Sequence, residues 1–130
     1  MEEVPMKQRD ILLVPFPFSD RSGAKVRPVL VLSNDRYNAG GGDRIVCAIT
    51  SNTNRVRNSI LISQADVEAG TLHQKSAVRA DSLLKMHQGL AIKTIGRLAE
   101  PAFLRVHALL QNFFRTALHS VINANRGHQA

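Results

Sequence analysis

The longest apolar run in the chain, residues 11–18, covers eight positions and already holds Pro15 and Pro17. A membrane-spanning helix needs about 20 apolar residues, and a packed interior helix about 10 or more. The run suits neither and reads as a buried strand that stops where proline removes ladder donors. The pattern then repeats along the chain. Pro28 opens a second strand over residues 29–32, at the first-residue position that proline tolerates, and Ser33-Asn34-Asp35 closes it. Residues 19–25 are polar, charged and glycine-bearing, which makes the two strands a hairpin with a long mobile tip.

Residues 38–43, with Gly40, Gly41 and Gly42, read as a flexible connection into a third strand over 45–49, ended by Thr50-Ser51-Asn52. Residues 59–63 form a fourth strand, and 77–81, 83–86 and 92–98 form further short ones. Short strands at close spacing predict a small barrel. After Glu100 the period changes: Pro101 suits a first helical position, and Phe103, Val106, Leu110, Phe113 and Ala117 recur at intervals of three and four. A helix of about four to five turns therefore covers the sheet, with Arg105, Gln111, Asn112 and Arg115 toward solvent. The 130 residues make one domain with a core over about residues 9–118 and flexible ends at 1–8 and 123–130.

Charge narrows the function. Seventeen Lys and Arg stand against ten Asp and Glu, a net +7, which favours partners that carry phosphate or carboxylate, nucleic acid first. With one tyrosine, five phenylalanines and no tryptophan, base stacking is poorly supplied and charge must carry much of the affinity. The single cysteine, Cys47, forms no internal disulfide and sits in an apolar strand as an inert thiol, consistent with a reducing cytoplasm. The acidic start, Met1-Glu2-Glu3, does not read as a secretory signal.

Catalytic motifs are sparse. The histidines at 73, 87, 107, 119 and 128 lack metal-helix spacing, and the acids are few, so no metal or cofactor is expected. Two groups remain. Arg27 can grip two phosphate oxygens and stays charged throughout a reaction, and Thr50 offers a hydroxyl that can donate to the same phosphate. Together they suit a phosphorane-like transition state. The plainer readings, a solvated loop arginine and a turn threonine, stand beside this one.

The stretch from Asp10 to Asp20, then Ser22-Gly23 and Lys25-Val26-Arg27-Pro28-Val29-Leu30-Val31-Leu32-Ser33, resembles the opening of the MazF/PemK toxins of bacterial type II toxin-antitoxin systems. Later landmarks follow in order: Ala48-Ile49-Thr50-Ser51, Ser76-Ala77-Val78-Arg79-Ala80-Asp81 and Ile95-Gly96-Arg97-Leu98. The resemblance spans about residues 9–113. It implies a mainly β fold, an SH3-like small barrel with a C-terminal helix, usually a cytoplasmic homodimer. It also implies metal-independent cleavage of single-stranded RNA, in which the ribose 2′-OH attacks phosphorus to leave a 2′,3′-cyclic phosphate and a 5′-hydroxyl. The family's catalytic arginine and threonine match Arg27 and Thr50. No residue is an obvious general base; His73 is the nearest candidate, and otherwise reads as a solvated loop histidine.

By the same resemblance the RNA groove takes Ser19, Lys25, Ser51, Asp81, Ser82 and Lys85, with Phe16 or Phe18 stacking on a base. Each has a plainer role: core caps for the phenylalanines, solvating charges for the lysines, a strand-end partner for Asp81. The implied partners are a cognate antitoxin, and DNA only together with that antitoxin. One position departs from the family, which commonly has glycine before the first-strand aspartate where this chain has Arg9. If φ is positive there, arginine costs about 1 kcal/mol or more and the local turn must differ. Two rival functions share the fold or the charge: a gyrase-inhibiting toxin, which lacks the Arg-Pro and Thr-Ser pair seen here, and a basic autoregulatory DNA-binding module.

Overall fold

The computed structural model describes residues 5–16, 25–54 and 57–117. They form β1 (Asp10–Phe16), β2 (Lys25–Val31), α1 (Asp35–Ala39), β3 (Asp43–Thr50), β4 (Ser59–Ile62), β5 (Val67–Gly70), β6 (Ser76–His87), β7 (Lys93–Leu98) and α2 (Glu100–Phe113). Short 3₁₀ turns at Gln64–Asp66 and Gln88–Leu90 link β4 to β5 and β6 to β7.

The seven strands make one antiparallel sheet in the order β4-β6-β3-β2-β1-β7-β5. Chain length dictates its shape. A flat sheet would hold its edge strands β4 and β5 about 29 Å apart, at about 4.8 Å per strand. Only residues 63–66 join them, a link that reaches at most about 18 Å. The sheet must therefore curl on itself, and it makes a half-barrel, the partly open form of the small barrel that the short strands predict.

Strand alternation divides the core in two. Ile11, Leu30, Cys47, Ile49, Val78 and Ala80 face one side, where Phe103 and Val106 of α2 cover them. Leu12, Val14, Val29, Val31, Val46 and Met86 face the other. Burial of an aliphatic or aromatic side chain of this kind contributes about 1.5–3 kcal/mol, so the helix is held by its apolar stripe rather than by propensity. Leu109, Leu110 and Phe113 extend the stripe, whereas Ala117 lies beyond the end of α2 and is exposed. Arg105, Gln111, Asn112 and Arg115 face solvent as their spacing predicts.

Several boundaries differ from the sequence reading. β1 runs on through Pro15 to Phe16, and β2 begins at Lys25 with Pro28 in its middle rather than at its start. The register explains why this proline is tolerated. Leu13 directs its carbonyl to the Ile92 N–H, at 2.8 Å, so the Leu13–Pro28 pair turns its backbone groups outward, and β3 pairs with β2 only from Val29 onward. No ladder bond is asked of the missing N–H. The 38–43 connection is shorter than expected because α1 precedes it. Asn34 caps this helix by accepting the Tyr37 N–H at 2.8 Å, and Asn38, buried, donates to the Ser33 carbonyl at 2.9 Å. The strands expected at 77–81 and 83–86 are the single strand β6, interrupted in register: Ala48 faces Arg79 while Cys47 faces Leu83. Residues 80–82 are thus extra on one side of the ladder, a bulge that turns Asp81 and Ser82 outward. β5 was absent from the sequence reading.

At the start of β1, Arg9 has φ +80°, in the left-handed region that favours glycine. Its N–H donates to the Val31 carbonyl at 3.0 Å, and its carbonyl accepts from Leu98 at 2.8 Å, so the ladder to both neighbouring strands holds it there. The arginine thus holds the positive φ that the sequence reading made costly for it. The side chain compensates: Nη1 reaches Glu68 Oε1 at 2.8 Å and the Leu98 carbonyl at 3.1 Å. Next to it, buried Asp10 accepts from the Lys7 N–H at 2.9 Å and from Arg97 Nε at 3.0 Å, and this hydrogen bond raises the Arg97 pKa.

Candidate active site

The β2–β3 ladder ends at the Val29–Ala48 pair. Arg27 lies two residues beyond that pair on β2 and Thr50 two residues beyond it on β3. Strand alternation assigns both positions to the side of the sheet that carries Val29. Val14, which pairs with Arg27, belongs to the same side. Past the ladder's end the strands no longer hold each other, and two clefts open around the tip of β3.

The first cleft, of about 560 Å³, is lined by Lys25, Arg27, Ser51, His73 and Gln74 over a floor that includes Leu13, Pro28, Ile49 and Ile95. The second, of about 570 Å³, is lined by Thr50, Asn52, Asn54, Arg57, Asn58, Arg79 and Asp81. Thr50 lines the second cleft, and its neighbours Ile49 and Ser51 line the first, as alternation along a strand requires. By the same alternation β2 borders the first cleft through Val26 and Pro28, and the Arg27 side chain belongs with Thr50 on the other side of the sheet at the same strand level.

Local hydrogen bonds shape the Thr50 end. Its Oγ1 accepts the Asn52 N–H at 3.1 Å, and Asn52 Oδ1 accepts the Asn54 N–H at 3.1 Å. These two side-chain turns fix residues 50–54. Accepting a bond uses an oxygen lone pair and leaves the Thr50 hydroxyl hydrogen as a donor. Arg79 and Asp81, two residues apart on β6, turn to one face and bring opposite charges to the same cleft.

The remaining expected site residues are scattered. Lys25 and Ser51 border the first cleft, and Asp81 joins Thr50 in the second. Ser82 is exposed on β6 and lines neither cleft. Lys85 is also outside both, with Nζ 3.9 Å from Asp43 Oδ2, further along the sheet. Phe16 ends β1, and its side chain lies outside the described residues, as do Phe18 and Ser19. The sequence reading missed Arg57, Arg79 and the asparagines at 52, 54 and 58 as lining residues of the second cleft. For Arg79 the signal was present in its spacing of two from Asp81, which puts both on one strand face. Among the described residues no three His, Cys, Asp or Glu side chains gather as a metal site. Cys47 is buried, and burial pushes its thiol up to about 12, so it plays no part in either cleft.

Residues 7–114 match the family described as PemK-like, MazF-like toxin of type II toxin-antitoxin system. The chain belongs to this family. No curated protein sequence matches it. Among solved structures it is similar to the Mycobacterium tuberculosis toxin MazF-mt6, at 22% identity and TM-score 0.65 over 82% of this chain and 96% of that one. It is also similar to MazF structures from Deinococcus radiodurans, including a MazE-MazF crystal form at 20% identity and TM-score 0.67, over 85% of this chain and 96% of the other. A third is an endoribonuclease bound to its cognate antitoxin from a mycobacterial species, at 12% identity and TM-score 0.63, over 82% and 91% of the two chains. At these identities the likeness establishes the fold. It is the MazF-like one, a curled antiparallel sheet with a C-terminal helix, as the opening motif implied. No helix among the described residues is long and apolar enough to cross a membrane.

Proposed function

We propose that this PemK/MazF-like toxin is an endoribonuclease that cuts single-stranded RNA without a metal ion and so stops translation and growth. The observation that carries the reading is the placement of Arg27 and Thr50 at one level past the end of the β2–β3 ladder, beside two open clefts. The ribose 2′ oxygen attacks the adjacent phosphorus, and the P–O5′ bond breaks to give a 2′,3′-cyclic phosphate and a 5′-hydroxyl. A 2′-OH nucleophile restricts the reaction to RNA. Arg27 neutralises the phosphate as negative charge builds, and the Thr50 hydroxyl donates to one of its oxygens. Lys25, Arg57 and Arg79 supply backbone attraction along the two clefts. The working form is a cytoplasmic homodimer, and a cognate antitoxin with an acidic segment silences it by covering the cationic clefts. The solved relatives include an endoribonuclease held by its antitoxin, which supports this reading.

The test is incubation of single-stranded RNA with the protein in excess EDTA, beside Arg27→Ala and Thr50→Ala. Wild type leaves 5′-hydroxyl ends, and each variant loses about 100-fold or more of its rate at nearly unchanged melting temperature. Cleavage that requires Mg²⁺, or full activity in both variants, overturns the proposal.

A further inference from the structure

We infer that the side-chain amides of Asn54 and Asn58 read a nucleobase flanking the scissile phosphate, so that this chain chooses where it cuts. The inference rests on the ribonuclease reading above. The cleft that Thr50 lines is otherwise walled by Asn52, Asn54, Arg57, Asn58, Arg79 and Asp81, none of them aromatic. A base that enters it is therefore held by its edge rather than by stacking on a ring. The two arginines attract any phosphate backbone, and such contacts carry no sequence information. A neutral amide is different. It presents an acceptor and two donors in one plane, the pattern that pairs with a base edge, and single-stranded RNA leaves those edges open.

The sheet brings both asparagines to the Thr50 hydroxyl. On β6, Arg79 pairs with Ala48 and Ala77 pairs with Thr50, so Arg79 shares the side of the sheet that carries Thr50. Ser59 pairs with Arg79 across the β4–β6 ladder, which places Asn58 one residue before the chain re-enters the sheet beside Arg79. The chain leaves the sheet at Thr50 and returns at Ser59, and the cleft lies between these two ends.

Local bonds hold the backbone at 54 and 58 and spare the side chains. Thr50 Oγ1 accepts the Asn52 N–H at 3.1 Å, and Asn52 Oδ1 accepts the Asn54 N–H at 3.1 Å. The Asn52 oxygen is thus spent on the turn, and the path of the chain to Asn54 is tied to Thr50 itself. The Asn58 carbonyl accepts the Ala80 N–H at 3.2 Å, and its φ of +56° is one that asparagine adopts more readily than most residues. Among the described residues the Asn54 and Asn58 amides make no hydrogen bond, so each keeps its full donor and acceptor set for the cleft.

The experiment maps the 5′-hydroxyl ends left in a randomised single-stranded RNA, in EDTA, by wild type, Asn54→Ala, Asn58→Gly, Arg57→Gln and Thr50→Ala. Glycine at 58 removes the amide and accepts the positive φ. Wild type should favour particular bases at a position flanking the cut. In each asparagine variant the ratio of favoured to disfavoured cleavage at that position should fall about 5- to 150-fold. Preferences at other positions should persist, and melting temperature should stay near wild type, because the backbone bonds remain. Arg57→Gln should weaken cleavage of all sequences alike and lower the salt dependence of KM. An unchanged preference in either asparagine variant, or a wild type indifferent to the bases flanking the cut, overturns the inference. Wild-type cutting with Thr50→Ala inactivity would still leave the ribonuclease reading intact. If wild type cuts no RNA, the parent reading falls and this one falls with it.

Discussion

Arg27 and Thr50 each stand two residues past the Val29–Ala48 pair, one on β2 and the other on β3. The ladder stops there because Pro28 has no N–H to offer β3, so one residue both ends the pairing and separates the strands. The hydroxyl at 50 serves two purposes, accepting the Asn52 N–H at 3.1 Å and keeping its own hydrogen for a phosphate. Thr50→Ser preserves both and should cut RNA within about tenfold of wild type. Thr50→Val is nearly the same shape and should lose about 100-fold or more in kcat. Its melting temperature should fall only slightly, since the lost turn bond is exposed and contributes about 1 kcal/mol or less. Equal activity in the valine and serine variants would remove the hydroxyl from the mechanism.

Much of this arrangement is legible in the residues, and the failures have identifiable causes. Apolar runs bounded by Pro, Gly and Asn locate β1, β2, β3, β4 and β7, and the three-and-four spacing from Phe103 locates α2, because both signals report burial of one face. β5 escapes because Val67-Glu68-Ala69-Gly70 has a single strand-forming side chain; its strand exists only through pairing with β7, where Gly96 allows close approach to Ala69. α1 escapes because five residues carry no periodicity and only the Asn34 cap marks it. The site divides in the same way. Arg27 and Thr50 are identified by motif, whereas the cleft between His73 and the rim of β2 depends on how β7 and the loop after β5 come together, which is long-range information.

Arg9 holds φ +80° at a cost that its side chain offsets through Glu68 and the Leu98 carbonyl. Two substitutions separate the terms. Arg9→Ala loses the ion pair and retains the strained backbone, so it should lower unfolding stability by about 1 kcal/mol or more. Arg9→Gly loses the same ion pair and relieves the strain, so it should be about 1 kcal/mol more stable than the alanine variant. That reverses the ordinary ranking of glycine and alanine, and urea denaturation of the pair reads it directly. Alanine equal to or above glycine would contradict the left-handed conformation.

Arg44 is 1% exposed, and among the described residues its guanidinium bonds to backbone and side-chain amide oxygens rather than to a carboxylate. Nε donates to Met6 O at 3.0 Å, Nη1 to Gly41 O at 3.0 Å and Asp43 O at 2.8 Å, and Nη2 to Pro5 O at 2.9 Å and Gln88 Oε1 at 3.1 Å. The guanidinium fork therefore ties the chain before β1 to the start of β3 and to the turn after β6. Lysine has only three N–H donors on a single nitrogen and cannot span these carbonyls. Arg44→Lys should lose about 2–4 kcal/mol in urea unfolding, and Arg44→Met at least as much. Amide exchange over residues 6–9 should accelerate in both. A fully stable lysine variant would mean that charge alone, without the fork, holds the segment.

Burial pushes the Cys47 thiol up to about 12, above the ordinary thiol value, because the thiolate would sit among core side chains. In the unfolded chain the thiol loses its proton near pH 8.5–9. Between that value and about 12 the unfolded state binds fewer protons than the folded one, so stability must decline as pH rises. The contribution is fully present below about pH 8.5, and its loss approaches 1.4 kcal/mol per pH unit above it. Urea unfolding at pH 8 and pH 10 should show the decline, and Cys47→Ala, destabilised at both values by its cavity, should show less of it. A disulfide-exchange reagent at pH 8 should react with wild type only as fast as the protein opens. Rapid labelling of the native protein would place the thiol at a surface instead of between β2, β6 and α2.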